Sequence, residues 1–173
     1  MSVIKVNTIQ HANGTTALSF AANGQVTLAN TPLQLTGGQI VFPGTHIPST
    51  DANTLDDYEE GTWTPSFTLD SGAATATSAS GSYVKIGRQV SVTLSIQFSV
   101  PSAANINDIT GLPFVIENTN QRGVGASRET GVTGLMWQLR ANANSSSMTM
   151  RRYDNAQALS NGMIFIGTLT YFV

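Results

Sequence analysis

From Gln89 to Val100 the chain alternates without a break: Val90, Val92, Leu94, Ile96, Phe98 and Val100 are apolar, and Ser91, Thr93, Ser95, Gln97 and Ser99 are polar. Successive side chains of a β-strand point to opposite faces, so this pattern specifies a strand with one face in a core and the other in water. A helix would scatter the same apolar residues around its circumference. Pro101 ends the run, because proline has no N–H to give to a ladder. One buried face and one wet face is the habit of antiparallel sheets, so the stretch is expected as a half-buried antiparallel strand, here of an all-β fold.

The sequence after Thr62 follows suit. Short apolar segments are expected as strands at Ile106–Ile109, Phe114–Glu117, Gly123–Arg128, Gly134–Ala141, Ser146–Tyr153 and Met163–Val173, separated by turns rich in Gly, Asn and Pro. That regular spacing points to an antiparallel β-sandwich or jelly-roll-like domain rather than an α/β fold. Trp63-Thr-Pro-Ser-Phe67 is expected to open the domain as one strand, with Trp63 and Phe67 in the core. The stretch from Ser71 to Gly81 reads either as an exposed loop or as a smooth strand of small residues. The last segment, MIFIGTLTYFV, is apolar on both faces and is expected to lie centrally in a sheet or to be sealed between subunits.

Residues 1–50 are organised differently. Val3–Gln10 alternate with apolar residues on both sides, so Val3, Ile4, Val6 and Ile9 ask for partners in two directions. HANGTTALSF is followed by AANGQVTLAN, repeating Ala-Asn-Gly and a Leu at a period of ten. Asn-Gly is a strong tight-turn signal because both residues tolerate positive φ. A third unit, TPLQLTGGQIVFPGTHIPST, keeps the scheme of short strand, Gly turn, short strand. Units of one strand and one turn cannot bury an apolar face alone. The expectation is a short, intertwined, homotrimeric β-stem, with Leu18, Phe20, Val26, Leu28, Leu33, Leu35, Ile40 and Phe42 as interchain core. The alternative is a set of hairpins on one sheet of a single domain. His11 and His46 read as structural or solvated residues.

Between the two parts lies DANTLDDYEEGTWTP, Asp51–Pro65, which holds five of the chain's ten acids. The expected division is 1–50 for anchor and stem, 51–61 for an acidic junction, and 62–173 for the tip domain. Asp51 or Asn53 could cap a helical turn before Gly61 breaks it. Asp56, Asp57, Glu59 and Glu60 admit four readings: a catalytic pair, a calcium site, a solvated and mutually repelling collar, or partners for Arg or Lys of a neighbouring subunit. The first lacks two carboxylates held across a cleft, and the second lacks the spacing of a calcium loop.

Composition narrows the function classes. Only 10% of the residues are charged and the net charge is −2, which offers no field for nucleic acid. Cysteine is absent, which removes disulfides and thiol chemistry. No apolar run reaches the ~20 residues of a membrane-spanning helix, and MSVIKVNTIQ has no signal-peptide core, so synthesis in the cytoplasm is expected. Nucleophile elbow, phosphate loop and metal-spaced His/Asp cluster are all missing, and Asp70, Asp108, Glu117, Glu129 and Asp154 are scattered. The expectation is a protein without catalytic residues, cofactor or metal. Trp137, Arg140, Arg151, Arg152 and Tyr153, with Arg122 and Arg128, are candidates for recognition, since such side chains are enriched at binding hot spots. The competing reading makes Trp137 core and the arginines solvated or ion-paired. The loops Asn142–Ser147 and Asp154–Gly162 are expected at the variable surface.

Three stretches carry a resemblance. Val3-Ile-Lys-Val-Asn-Thr-Ile-Gln-His-Ala-Asn-Gly14 resembles the opening of many bacteriophage fibre proteins, especially those of phages of aquatic bacteria. Leu55-Asp-Asp-Tyr-Glu-Glu-Gly-Thr-Trp-Thr-Pro65 is similar to a motif of tail-fibre and virion-fibre proteins between stem and tip. Gly81-Ser-Tyr-Val-Lys-Ile-Gly-Arg-Gln-Val90, followed by Ile109-Thr-Gly-Leu-Pro-Phe114, resembles the tip pattern that accompanies it. The resemblance implies a homotrimer on a virion. Val3, Ile4, Val6 and Ile9 would anchor it to another virion protein. Asp56, Asp57, Tyr58, Glu59, Glu60 and Trp63 would form the junction, and the tip would contact a glycan or protein of the host surface. No nucleic-acid partner and no membrane insertion are implied. The alternatives are a capsid-attached head fibre or decoration protein without an obligatory receptor, and a polysaccharide depolymerase.

Overall fold

The computed structural model describes residues 8–10, 12, 14, 16–20, 22, 26–28, 33, 35, 37–51, 53–120 and 122–173. The chain divides into two compact units, Met1–Val41 and Phe42–Val173. All described regular structure is β, and every strand pair is antiparallel.

The first unit holds a three-stranded sheet of β1 (Thr8–Gln10), β2 (Thr16–Phe20) and β3 (Val26–Leu28), in the order β1-β2-β3. The period-ten repeat has a structural meaning here: Leu18 and Leu28, its two leucines, stand directly opposite each other across β2 and β3. Gly14 sits in the first turn with φ of 83°, a backbone position that glycine adopts without strain. None of the described residues between 33 and 50 is in a strand, unlike the expected third unit. Pro43 and Pro48 withhold two ladder donors there. Val3, Ile4 and Val6, and the side chains of Leu18 and Phe20, lie outside the described residues.

The second unit is one sheet. Its strands are β4 (Tyr58–Trp63), β5 (Ser66–Ser71), β6 (Thr75–Ile86), β7 (Gln89–Ser99), β8 (Ala104–Thr110), β9 (Val124–Glu129), β10 (Met136–Ala141), β11 (Ser147–Arg152), β12 (Ala158–Leu159) and β13 (Ile164–Phe172). The order is β12-β8-β11-β10-β9-β13-β7-β6-β4, with β5 also paired to β8. Phe67 of β5 and Phe98 of β7, far apart in that order, meet edge to face at 4.9 Å, so the sheet curls over on itself. Phe98 stacks in turn on Phe165, and Phe165 on Trp137. Around this line of rings lie Val90, Val92, Ile96, Ile106, Ile109, Leu139, Met148, Met150, Leu169 and Tyr171, all fully buried.

The alternation of Gln89–Val100 thus becomes β7, with its apolar set inward. The C-terminal apolar run becomes β13, which lies centrally between β9 and β7. Two expectations change. Trp63–Phe67 is two strands, because Pro65 breaks the ladder and the chain leaves β6 for β8 at that corner. Phe114–Glu117 is a loop whose amides go to different elements: Ile116 N–H donates to Ser145 O, and Glu117 N–H to Phe172 O. Of the two readings of the small-residue stretch after Ser71, the strand holds from Thr75, where β6 forms a long hairpin with β7.

Small side chains in β6 have a packing reason. Trp63 on β4 lies over Gly81 of β6, and its Nε1–H reaches the Thr93 carbonyl of β7 at 3.0 Å. A Cβ at Gly81 would collide with the indole and with that carbonyl. Gly81→Val should therefore displace Trp63 and cost about 1–3 kcal/mol, read as a lower urea midpoint and red-shifted tryptophan emission. Unchanged emission would show that the indole is held elsewhere.

Candidate functional site

The acids of the expected junction do not form a common site. Residues 58–61 are the start of β4, an edge strand, and no helix precedes it among the described residues. Asp51 makes a single turn instead, its carbonyl accepting from Thr54 N–H at 3.1 Å and its Oδ1 from Asn53 N–H at 2.9 Å. Each junction carboxylate finds a partner in its own chain. Asp56 accepts from Ser49 N–H and sits 3.2 Å from His46 Nε2, contacts that hold its carboxyl below the usual range. Asp57 pairs with Lys85, both buried. Glu59 accepts from Tyr83 Oη at 2.6 Å, and Glu60 from Tyr58 Oη at 2.8 Å; each bond raises the phenol's pKa. Charges along an edge strand discourage unwanted strand pairing, which gives Glu59 and Glu60 a structural use. Phe42, expected in the stem core, belongs to the second unit and packs against Tyr58 at 6.2 Å.

The recognition candidates separate. Trp137 is 2% exposed and packs on Phe165, so it is core. Arg152 grips Asp154 through two bonds, Nε to Oδ1 at 2.8 Å and Nη2 to Oδ2 at 2.5 Å, and this guanidinium holds the Asp154 carboxyl down at about 2. Tyr153 beside it is exposed, with Arg152 6.0 Å above its ring. Arg140 and Arg151 instead share one groove of about 550 Å³, lined by Asn107, Asp108, Gln138, Arg140, Asn142, Thr149, Arg151 and Asn155.

The groove arises from register. On β10, Trp137, Leu139 and Ala141 are buried, which turns Gln138 and Arg140 outward. On β11, Met148 and Met150 are buried, which turns Thr149 and Arg151 outward. Gln138 stands opposite Arg151, and Arg140 opposite Thr149. Thr149 in turn faces Asp108 of β8. Arg140, Thr149 and Asp108 therefore form one row across three strands.

A β-bulge completes it. Between the pairs Phe67↔Ile109 and Leu69↔Ile106, β8 has one more residue than β5. Ile106 and Ile109 both point inward, so Asn107 and Asp108 are left on the outer side. Thr68 Oγ1 accepts from the Asp108 N–H at 3.3 Å. Arg151 holds the bulge from the other side, donating to the carbonyls of Asn107 at 2.7 Å, Met150 at 2.9 Å and Ile106 at 3.2 Å. Arg151 is thus a strut. Asn142 accepts from Thr149 Oγ1 at 2.8 Å, and Asn155, at φ of 66°, closes the rim.

Arg140 and Asp108 differ from the junction acids, from Arg151 and from the Arg152–Asp154 pair. No hydrogen bond or ion pair engages the guanidinium of Arg140 or the carboxylate of Asp108 among the described residues. Of the groove's members, only Arg140 and Arg151 were singled out from sequence as recognition residues. The alternation of Met148–Arg151 marks Thr149 as outward, but only the pairing of β10, β11 and β8 brings Asp108 into its row. Compared with known proteins, the chain matches no protein-family model and no curated protein.

Proposed function

We propose that the protein is a homotrimeric fibre of a bacteriophage virion, attaching the particle to the host cell surface through the outer face of its C-terminal unit. The observation that carries the attachment reading is the groove over β8, β11 and β10: a polar concavity on a rigid sheet, with a cation and an anion left unpartnered among the described residues. Concave sites with a few convergent polar groups are the usual form of small-ligand recognition. Asp108 is the single carboxylate lining the groove among the described residues, whereas glycoside hydrolysis ordinarily needs two, which favours binding over cleavage.

The trimeric reading rests on the first unit. Val26, Leu28, Leu33, Leu35 and Ile40, five of the eight residues expected as interchain core, are exposed in the single chain, as is Ile9. A sheet of strands three to five residues long cannot cover such side chains by itself, and copies of the chain would. The curl that brings Phe67 to Phe98 supports a jelly-roll-like tip. Several weak grooves per fibre and several fibres per particle would raise effective affinity without a tight single site.

Light scattering on the full chain should give the mass of three copies, and fluorescently labelled protein should decorate intact bacteria in a saturable way. A monomer would overturn the fibre reading. A trimer that decorates no bacterium infected by the phage encoding it, and labels capsid vertices on the particle, would replace it with a head fibre.

A further inference from the structure

We infer that the groove binds a carboxylated sugar, a uronic or nonulosonic acid residue of a surface glycan, with Arg140 taking the carboxylate and Asp108 the hydroxyls. The inference deepens the attachment reading and rests on it.

Three features of the row Arg140, Thr149 and Asp108 carry it. First, the charges sit at its two ends. Neighbouring strands are about 4.8 Å apart, so the Cα atoms of Arg140 and Asp108 are roughly 10 Å apart, with the short Thr149 between them. That gap leaves room for a ring-sized ligand above the threonine. Second, the unpartnered guanidinium offers the planar fork that matches a carboxylate through two parallel bonds. A neutral sugar would leave it with hydroxyl contacts only. Third, the remaining lining is amide and hydroxyl. Asn107, Asn142, Gln138 and Thr149 both donate and accept, and a carboxylate accepts from two adjacent hydroxyls, which is the equipment needed to read a polyol.

The frame is held ready for such a ligand. The bulge that turns Asp108 outward is fixed by Thr68 on one flank and Arg151 on the other, and Asn142 is oriented by Thr149. A phosphate would satisfy Arg140 equally but would bring a second negative charge toward Asp108. A carboxylate at one end and neutral hydroxyls at the other complement both ends of the row.

The test uses the full chain and a panel of oligosaccharides ending in uronic or nonulosonic acids, each paired with a counterpart whose carboxyl is reduced to the alcohol. Saturation-transfer NMR and calorimetry should show binding by at least one acidic member, weakened tenfold or more by carboxyl reduction and by Arg140→Gln. Asp108→Asn should weaken the same ligand, because the amide keeps one acceptor oxygen and replaces the other with a donor, so it no longer offers one oxygen to each of two adjacent hydroxyls. Equal binding of the reduced partner, or an Arg140→Gln protein that binds as well as the parent, would overturn the inference. So would a panel with no binder. If in that case the labelled protein still decorates bacteria, attachment stands and the acidic-sugar assignment alone falls; if decoration is absent too, both fall.

Discussion

Glu129→Gln is expected to destabilise the C-terminal unit by about 3 kcal/mol and to flatten the acid limb of its stability profile. Glu129 closes β9 and has no exposed surface. Burial pushes its carboxyl up, but hydrogen bonds to the ionised form outweigh burial and hold it at about 2. Its Oε1 accepts from the N–H groups of Gly131 at 2.5 Å, Val132 at 2.9 Å and Ile164 at 3.1 Å. Its Oε2 accepts from the Thr133 N–H, from Thr133 Oγ1 at 2.8 Å and from Gly134 N–H at 3.2 Å. The carboxylate thus gathers the whole β9–β10 loop and ties it to the start of β13. An amide of the same shape turns one of those two oxygens into a donor facing donors.

The pH dependence follows from the same contacts. A carboxyl near 4.5 in the unfolded chain and about 2 in the folded one favours the folded state wherever it is ionised. The stabilisation is complete above about pH 5 and is lost as the pH falls toward 2, a tenfold difference in proton affinity between the two states corresponding to about 1.4 kcal/mol. Urea unfolding of the parent should therefore lose this increment between those pH values. The Gln variant should begin lower and lose less. A variant that matches the parent at pH 7, or that keeps the parent's acid slope, would show that the nest of N–H groups contributes nothing net.

The sequence made the core strands legible where one physical rule decided the outcome. In β7 each side chain's face follows from its parity, and no other element can change that without a register slip. The position of β13 was legible for a related reason, since a strand apolar on both faces has to be flanked. The groove was not legible, because its row is written in three places far apart in the chain. Arg140 and Thr149 are nine residues apart, but Asp108 joins them only through the pairing of β8 with β11. Its outward direction also depends on a bulge that no local pattern announces. The junction stayed open for a different reason. Four acids within five residues fit a repelling collar and a set of paired groups equally, and only the fold shows that partners arrive from Ser49, Lys85, Tyr83 and Tyr58.

Lys85→Met should cost about 3–5 kcal/mol, the penalty for leaving a carboxylate buried without its cation. Asp57 is 6% and Lys85 5% exposed, and the ammonium also lies 5.4 Å from the centre of the Phe114 ring. The pair fastens the entry to β4, an edge strand that pairs with β6, next to the point where Gly87 N–H donates to the Asp57 carbonyl at 2.8 Å. Without the cation, Asp57 is a buried acid that has lost its counter-charge. The double change Asp57→Leu with Lys85→Met removes both charges and fills the space, so it should recover most of the loss, because a buried pair contributes little beyond what well-packed apolar side chains give. Urea unfolding of the parent, the single variant and the double variant measures this directly. Native mass should not change with Lys85→Met, since the partner of Asp57 lies in the same chain; a change in mass would instead assign the acid to contacts between subunits. A single variant that loses less than about 1 kcal/mol would place the pair in effective contact with solvent. A double variant as unstable as the single one would mean that the entry to β4 requires a polar link at that point and not merely a filled one.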